Sequence, residues 1–274
     1  MIPQVTALHL AIEFSSIAVV EALSQASAAL VDDEDEHRTP LHRAVMYNEV
    51  DIVRLLLDCG ADVGALEKQE RMPLHYATMH FIPLENGVTV TKTSDVDIVE
   101  LLVNHGAEVN AKDKHQHTPL HYASKRASAD VIKVLVDAGA DISARDDEEK
   151  TPLHKVAKHN PSADVVRVMV DAGADLDAQD CYQWTPMHRA ALENPVAVRV
   201  LIESGAKVNM LNKDQTSDVS VTPLFYAAKY SHREAIIALC AAGADPHLGD
   251  LSPLEADCVK EDMKTLIREQ FDGQ

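Results

Sequence analysis

The stretch Lys114-His115-Gln116-His117-Thr118-Pro119-Leu120-His121 places three imidazoles within seven positions, and Lys125 and Arg126 follow closely. Imidazoles so close together are the raw material of a zinc site or of proton transfer beside a nucleophile. Zinc asks for three or four ligands converging on a tetrahedron, so His115 and His117 would have to recruit partners from another segment. A Cys–His nucleophile needs a spatial pairing, and the spacing of Cys59, Cys181, Cys240 and Cys258 specifies none. No GxSxG, HExxH, GxGxxG or phosphate loop occurs. The expectation is therefore a non-enzyme with no cofactor and no metal, and the question becomes which elements place these side chains.

Only 4% of the 274 residues are aromatic while 46% are hydrophobic, a balance that suits packed helices better than a large β-sandwich. Lys and Arg number 25 against 44 Asp and Glu, a net charge of −19 that disfavours nucleic acid and anionic lipid as partners. No charged-then-apolar leader and no apolar run of about 18 residues is present, so neither export nor membrane insertion is expected. Four scattered cysteines without a CxxC argue against a disulfide framework and for a reducing, intracellular setting. The expected address is the cytoplasm, with the nucleus or, for a bacterial effector, a host cell as variants.

One period organises the chain. TPLH stands at 39, 118 and 151, with variants TALH at 6, MPLH at 72, TPMH at 185, TPLF at 222 and SPLE at 252. Most of these starts lie about 33 residues apart, the third unit being longer by 13. A glycine landmark follows in GADV at 60, GAEV at 106, GADI at 139, GADL at 173, GAKV at 205 and GADP at 243. Thr39 suits a helix N-cap and Pro40 the first helical position, where its missing N–H costs nothing. Ile52, Val53, Leu55 and Leu56 then form the apolar stripe of a second helix, and Gly60 stops it. A pair this short cannot bury its own stripe, so units must stack on their neighbours.

The segments TPLHRAVMYNEVDIVRLLLDCGADV (39–63) and TPLHYASKRASADVIKVLVDAGADI (118–142) resemble ankyrin repeats, and the resemblance runs over residues 6–273. It implies an all-α solenoid of eight stacked helix-turn-helix units with projecting β-turn or hairpin fingers, one domain over 1–274. Units start near 6, 39, 72, 118, 151, 185, 222 and 252, with insertions near 80–93 and 213–221. The resemblance also makes His9, His42, His75, His121, His154 and His188, all at one repeat position, parts of the scaffold. ENGVTVTKT in the first insertion alternates around Asn-Gly like a small hairpin projecting away from the fingers. Glycine, usual in finger turns, is replaced by His37, Glu70, Gln116, Glu149 and Gln183, so ideal tight turns are not expected there. The last unit reads as a polar closing cap, whereas the first lacks the proline and is a weaker end.

In ankyrin-like stacks the finger tips and the exposed face of each first helix line a concave groove that sets the partner. Carried over unit by unit, the groove positions are Asp35, Glu36, Arg38, Met46 and Tyr47, then Lys68, Gln69, Arg71, Met79 and His80, then Lys114, His115, His117, Lys125 and Arg126. Asp147, Glu148, Lys150, Lys158 and His159 follow, then Cys181, Tyr182, Trp184, Leu192 and Glu193, and finally Lys229 and Tyr230. This set sums to +4 against the chain's −19. The expected function is a monomeric scaffold that takes an acidic or amphipathic protein segment, steered by the cations and anchored at Tyr182 and Trp184. Two alternatives stay open. The acidic remainder, including DDEDE at 32–36, would capture a basic protein as an inhibitor or effector does, or Trp184, Tyr182, His117 and Lys125 would hold a small molecule or support a reaction.

Overall fold

The computed structural model of the chain describes residues 7–13, 16–26, 38–79, 81–83, 89–91, 96–213 and 219–272. By its contacts the chain divides into two compact units, residues 1–123 with 127–141 and residues 124–126 with 142–274.

The first unit is built from helix pairs. They are α1 (Ala7–Glu13) with α2 (Ile17–Ala26), α3 (Pro40–Tyr47) with α4 (Val50–Asp58), α5 (Pro73–Thr78) with α6 (Val96–Asn104), and α7 (Pro119–Arg126) with α8 (Ala129–Asp137). First helices pack on first helices, α1 on α3 and α3 on α5, while α2, α4, α6 and α8 make the second layer. The third unit's insertion carries strands β1 (Phe81–Pro83) and β2 (Thr89–Thr91), paired antiparallel with Ile82 opposite Val90. Asn86-Gly87, the expected turn, lies outside the described residues.

The second unit repeats the plan with α9 (Pro152–His159) and α10 (Ala163–Asp171), α11 (Pro186–Glu193) and α12 (Pro195–Glu203), and α13 (Pro223–Lys229) and α14 (Arg233–Ala241). Two short strands, β3 (Asn212–Lys213) and β4 (Ser220–Val221), close the long finger before α13, and α15 (Glu261–Asp272) packs on α14. The eighth copy departs from expectation. Residues 253–259 form turns without a first helix, tied by Ser252, whose hydroxyl donates to the Pro246 carbonyl at 2.8 Å and accepts from the Leu254 amide at 3.1 Å.

The repeated tetrapeptide explains why these helices start where they do and what they bury. Its leucine or methionine is sealed from solvent in every pair, as at Leu8, Leu41, Leu74 and Leu120 in the first unit and Leu153, Met187 and Leu224 in the second. Each is worth roughly 1.5–3 kcal/mol of burial. The threonine residue before the proline takes an extended conformation, and at Thr39, Thr185 and Thr222 its hydroxyl accepts the amide three residues on.

The histidine completes the joint. Its Nδ1 accepts a backbone N–H at the helix start, from Thr39 to His42 (3.3 Å), Met72 to His75 (3.0 Å), Thr118 to His121 (3.1 Å), Thr151 to His154 (3.1 Å) and Thr185 to His188 (3.2 Å). Nε2–H is then free to donate to a carbonyl of the following repeat. His9 reaches Arg38 O (3.0 Å) and His42 reaches Arg71 O (3.1 Å), while His154 meets Trp184 O (2.9 Å) and His188 meets Val221 O (3.2 Å). His75 meets both Ala111 O and His117 O. A ring that accepts at Nδ1 and donates at Nε2 is the neutral tautomer. Burial lowers the pKa of His42, His75, His154 and His188 to about 4.

Candidate interaction surface

The fingers are held by a residue type that the repeat register alone does not announce. Five positions before each helix-start residue sits a buried acid, Glu67 and Asp113 in the first unit and Asp146 and Asp180 in the second. One carboxylate oxygen accepts two backbone N–H groups across the turn, from His115 and His117 at 2.9 Å each for Asp113, and from Tyr182 at 2.9 Å and Trp184 at 3.0 Å for Asp180. Asp146 does the same with Glu148 and Lys150, and Glu67 with Gln69 and Arg71.

The second oxygen of the aspartates looks toward the helix that follows. Asp146 Oδ2 meets Lys155 Nζ at 2.6 Å, Asp180 Oδ2 accepts from Arg189, and Asp113 Oδ2 accepts the Tyr122 hydroxyl, with Arg71 Nε at 3.5 Å. Burial pushes the Asp113 carboxyl up, yet the bonds from Tyr122 and from the His117 and His115 amides hold it below its ordinary value. In the long finger Asn212 stands in for the acid. With its amide oxygen turned toward the rings, it accepts Trp184 Nε1–H at 2.8 Å and Tyr226 O–H at 3.0 Å. The signal was in the sequence: Asp five before the start pairs with Arg, Lys or Tyr four after it.

This anchor corrects the expectation of loose turns. Glu70, Gln116, Glu149 and Gln183 lie at φ of 60°, 59°, 58° and 60°, so the left-handed turn forms without glycine. His37 lies outside the described residues. Neighbouring fingers also bond to one another, Lys114 N to Gln69 O (3.0 Å) and Lys114 Nζ to Lys68 O (2.7 Å) in the first unit, and Cys181 N to Glu148 O (3.1 Å) in the second.

The expected groove residues divide by exposure. In the first unit Lys68, Lys114 and His115 are exposed, and Tyr47, Arg71 and His117 are half-buried. His117 leans on the scaffold, with Nδ1 3.8 Å from Asp113 Oδ1 and its ring against His121 and Tyr122. Arg38, Met46 and Met79 are a correction: they are buried, Arg38 lying over the Tyr76 ring. His80, Asp35, Glu36 and the run at 32–36 lie outside the described residues.

In the second unit Arg126, Tyr182 and Tyr230 are exposed, while Lys125, Lys158, His159 and Lys229 are half-buried. Lys229 Nζ sits near the Phe225 and Tyr230 rings, and Lys158 Nζ is 3.4 Å from Glu193. Burial, with Lys158 beside it, lowers the His159 pKa to about 4. Lys158 pairs with Glu193 and Lys150 with Glu148, both partners being already within the +4, whereas Asp113 beside Arg71 lies outside that count and offsets one positive charge of it.

Trp184 is the main correction. A finger position is not core by repeat logic, yet Trp184 is only 7% exposed. Its ring packs on Tyr226 with centroids 4.5 Å apart, and the Arg189 guanidinium lies 4.3 Å from its centroid. It therefore seals the joint to the following repeat, and Tyr182, 37% exposed, is the aromatic side chain that this finger presents.

Asp146, Asp147 and Glu148 come within 4.8 Å of one another among the described residues, but Asp146 is committed to two amides and Lys155, and Glu148 to Lys150. They make a turn, not a metal centre. A cavity of about 460 Å³ lies in the second unit between Gly243, Pro246, His247, Leu254, Arg268 and Phe271, so none of the residues proposed for a small-molecule groove lines it. All four cysteines are free. Among the described residues no helix is long and apolar enough to cross a membrane.

Helix pairs joined by acid-anchored fingers, with their variable side chains on the turns, define a repeat protein that presents a surface. The chain belongs to the ankyrin-repeat family. Residues 3–67 and 144–212 match ankyrin repeats (3 copies), residues 102–154 match ankyrin repeats (many copies), and residues 69–114 and 221–251 match the single ankyrin repeat. Among solved structures, the ankyrin repeat domain of Bcl-3, a unique member of the IkappaB protein family, is 25% identical, with a TM-score of 0.66 over 86% of this chain and 99% of that one. No curated protein matches the chain. Its fold is thus that of an all-α ankyrin solenoid. Ankyrin-repeat domains are in general non-catalytic interaction modules, and both likenesses support a protein–protein interaction scaffold.

Proposed function

We propose that this scaffold binds an acidic or amphipathic segment of another protein on its finger and first-helix surface. The carrying observation is the pre-organisation of the fingers: a buried carboxylate fixes each turn before any partner arrives, so little ordering cost remains on binding. On the second unit Tyr182 supplies the aromatic anchor and Arg126 and Lys229 supply positive charge. On the first unit Lys68, Lys114 and His115 do the steering.

Affinity capture from the native host with wild-type bait, a Tyr182→Ala/Arg126→Glu bait and an Asp137→Lys bait altered on an outer helix tests this reading. A truncated interface anchor costs about 2 kcal/mol, or roughly 30-fold in affinity. The surface is wrong if the partner held by wild type is retained equally by the Tyr182→Ala/Arg126→Glu bait.

A further inference from the structure

The first helix pair shows what the others hide. The third residue of each second helix is sealed in six repeats, with Ile98, Val131, Val165, Ala197 and Ala235 at 0% and Ile52 at 2% exposure. Its counterpart Val19 is 47% exposed. Ala22 and Leu23, one turn further along the same stripe, are likewise more open than Leu55 and Leu56 of the next repeat.

On the first helix the fourth position behaves the same way. Tyr122, Lys155 and Arg189 turn from it toward the finger that precedes them, which identifies it as the side facing the preceding layer. Here it is Leu10, 43% exposed. A leucine cannot answer a finger carboxylate, so this edge does not offer the partner that a finger of the same design would need. Three positions on, where Met46 and Met79 are buried in later repeats, stands exposed Glu13. The edge is therefore apolar in its body, with a carboxylate at its margin.

We propose that the α1/α2 edge is a docking face for an amphipathic helix of a partner protein, with an apolar stripe over Leu10, Val19 and Leu23 and a basic residue opposite Glu13. The face continues the repeat-on-repeat interface that runs through α1, α3 and α5 and through α2, α4 and α6, so its shape already accepts a helix. Charge argues against a second copy as occupant, because two such edges would bring Glu13 against Glu13 in chains of net charge −19.

The test uses the full chain and synthetic helical peptides of about four turns, with Leu and Ile at i, i+3, i+4 and i+7 and either Lys or Glu on the flanks. Titration calorimetry should show binding of the Lys-flanked peptide and little of the Glu-flanked one. Val19→Asp should weaken it at least about tenfold, Ile237→Asp on α14 should leave it unchanged, and Glu13→Lys should transfer preference to the Glu-flanked peptide. Circular dichroism checks that the variants remain folded. The proposal fails if neither peptide binds, or if Val19→Asp binds as well as wild type. It also fails if wild type self-associates in sedimentation and Val19→Asp does not, or if binding appears only after deletion of residues 2–6. The first pattern names a second copy as occupant, the second the chain's own terminus.

Discussion

Mild acid should destabilise this protein through its scaffold histidines. His42, His75, His154 and His188 are at most 1% exposed and are held neutral with pKa lowered to about 4, burial being the main cause. Because the folded value lies below the unfolded one, about 6.5, the unfolded chain binds the extra protons. The contribution is fully present above pH 6.5 and is lost as pH falls from there toward 4. At pH 5.5 each ring takes up nearly one proton on unfolding, so four give a slope of about 5 kcal/mol per pH unit. Integrated from pH 7 to 5.5, the loss is about 1 kcal/mol per ring and on the order of 5 kcal/mol in all, a large share of a typical stability of about 5–15 kcal/mol. Urea unfolding at pH 7.5, 6.5, 6.0 and 5.5 measures it. His188→Gln should cost about 1–3 kcal/mol at pH 7.5 through its lost bond to Val221 O, yet flatten the pH slope by about 1 kcal/mol per unit. A stability unchanged between pH 7 and 5.5, or an unaltered slope in the variant, would refute the reasoning.

Three further outcomes follow from the fingers and turns. Asp180→Ala removes the acceptor of two amides and strands buried Arg189, and should cost about 3–5 kcal/mol in chemical denaturation, whereas Asp147→Ala on an exposed neighbour should stay within about 0.5 kcal/mol. Gln183→Gly relieves a left-handed residue and should raise the unfolding free energy by about 0.5–1 kcal/mol; a loss would mean that the Gln side chain contributes more than the backbone strain. Gly249→Ala should cost clearly more than Gly205→Ala, about 1 kcal/mol, in thermal melts. Both glycines have positive φ, but a Cβ at 249 would lie 2.6 Å from the Ser220 carbonyl oxygen while one at 205 meets nothing within 4 Å.

The helix pairs were legible because their signals are local and repeated: a proline after a capping residue, an apolar stripe, a glycine stop. The antiparallel pairing of β1 with β2 in the third unit's insertion was legible from the alternation at 89–91. Trp184 was misread because its burial depends on a contact outside its own repeat, Tyr226 of the next helix start, which periodicity places on the page but does not bring together. The finger turns were misread in the opposite direction. Glycine's absence suggested irregular loops, but an acid five residues before the helix start supplies through hydrogen bonds what glycine supplies through freedom of φ. The eighth copy kept the letters of a helix start without the helix, since Ser252 spends its hydroxyl on Pro246 and Leu254.

The histidine bridges carry a consequence for how such a chain grows. The rings of His42, His154 and His188 donate to backbone carbonyls of residues as unlike as Arg71, Trp184 and Val221, so the joint does not inspect the identity of the residue it meets. A repeat could be duplicated, deleted or exchanged by recombination and find its connector waiting, while the fingers diverged freely. The seventh repeat has Phe225 where the histidine would be, and it passes no donor onward. The eighth copy, which follows it, is also the one that lacks a first helix.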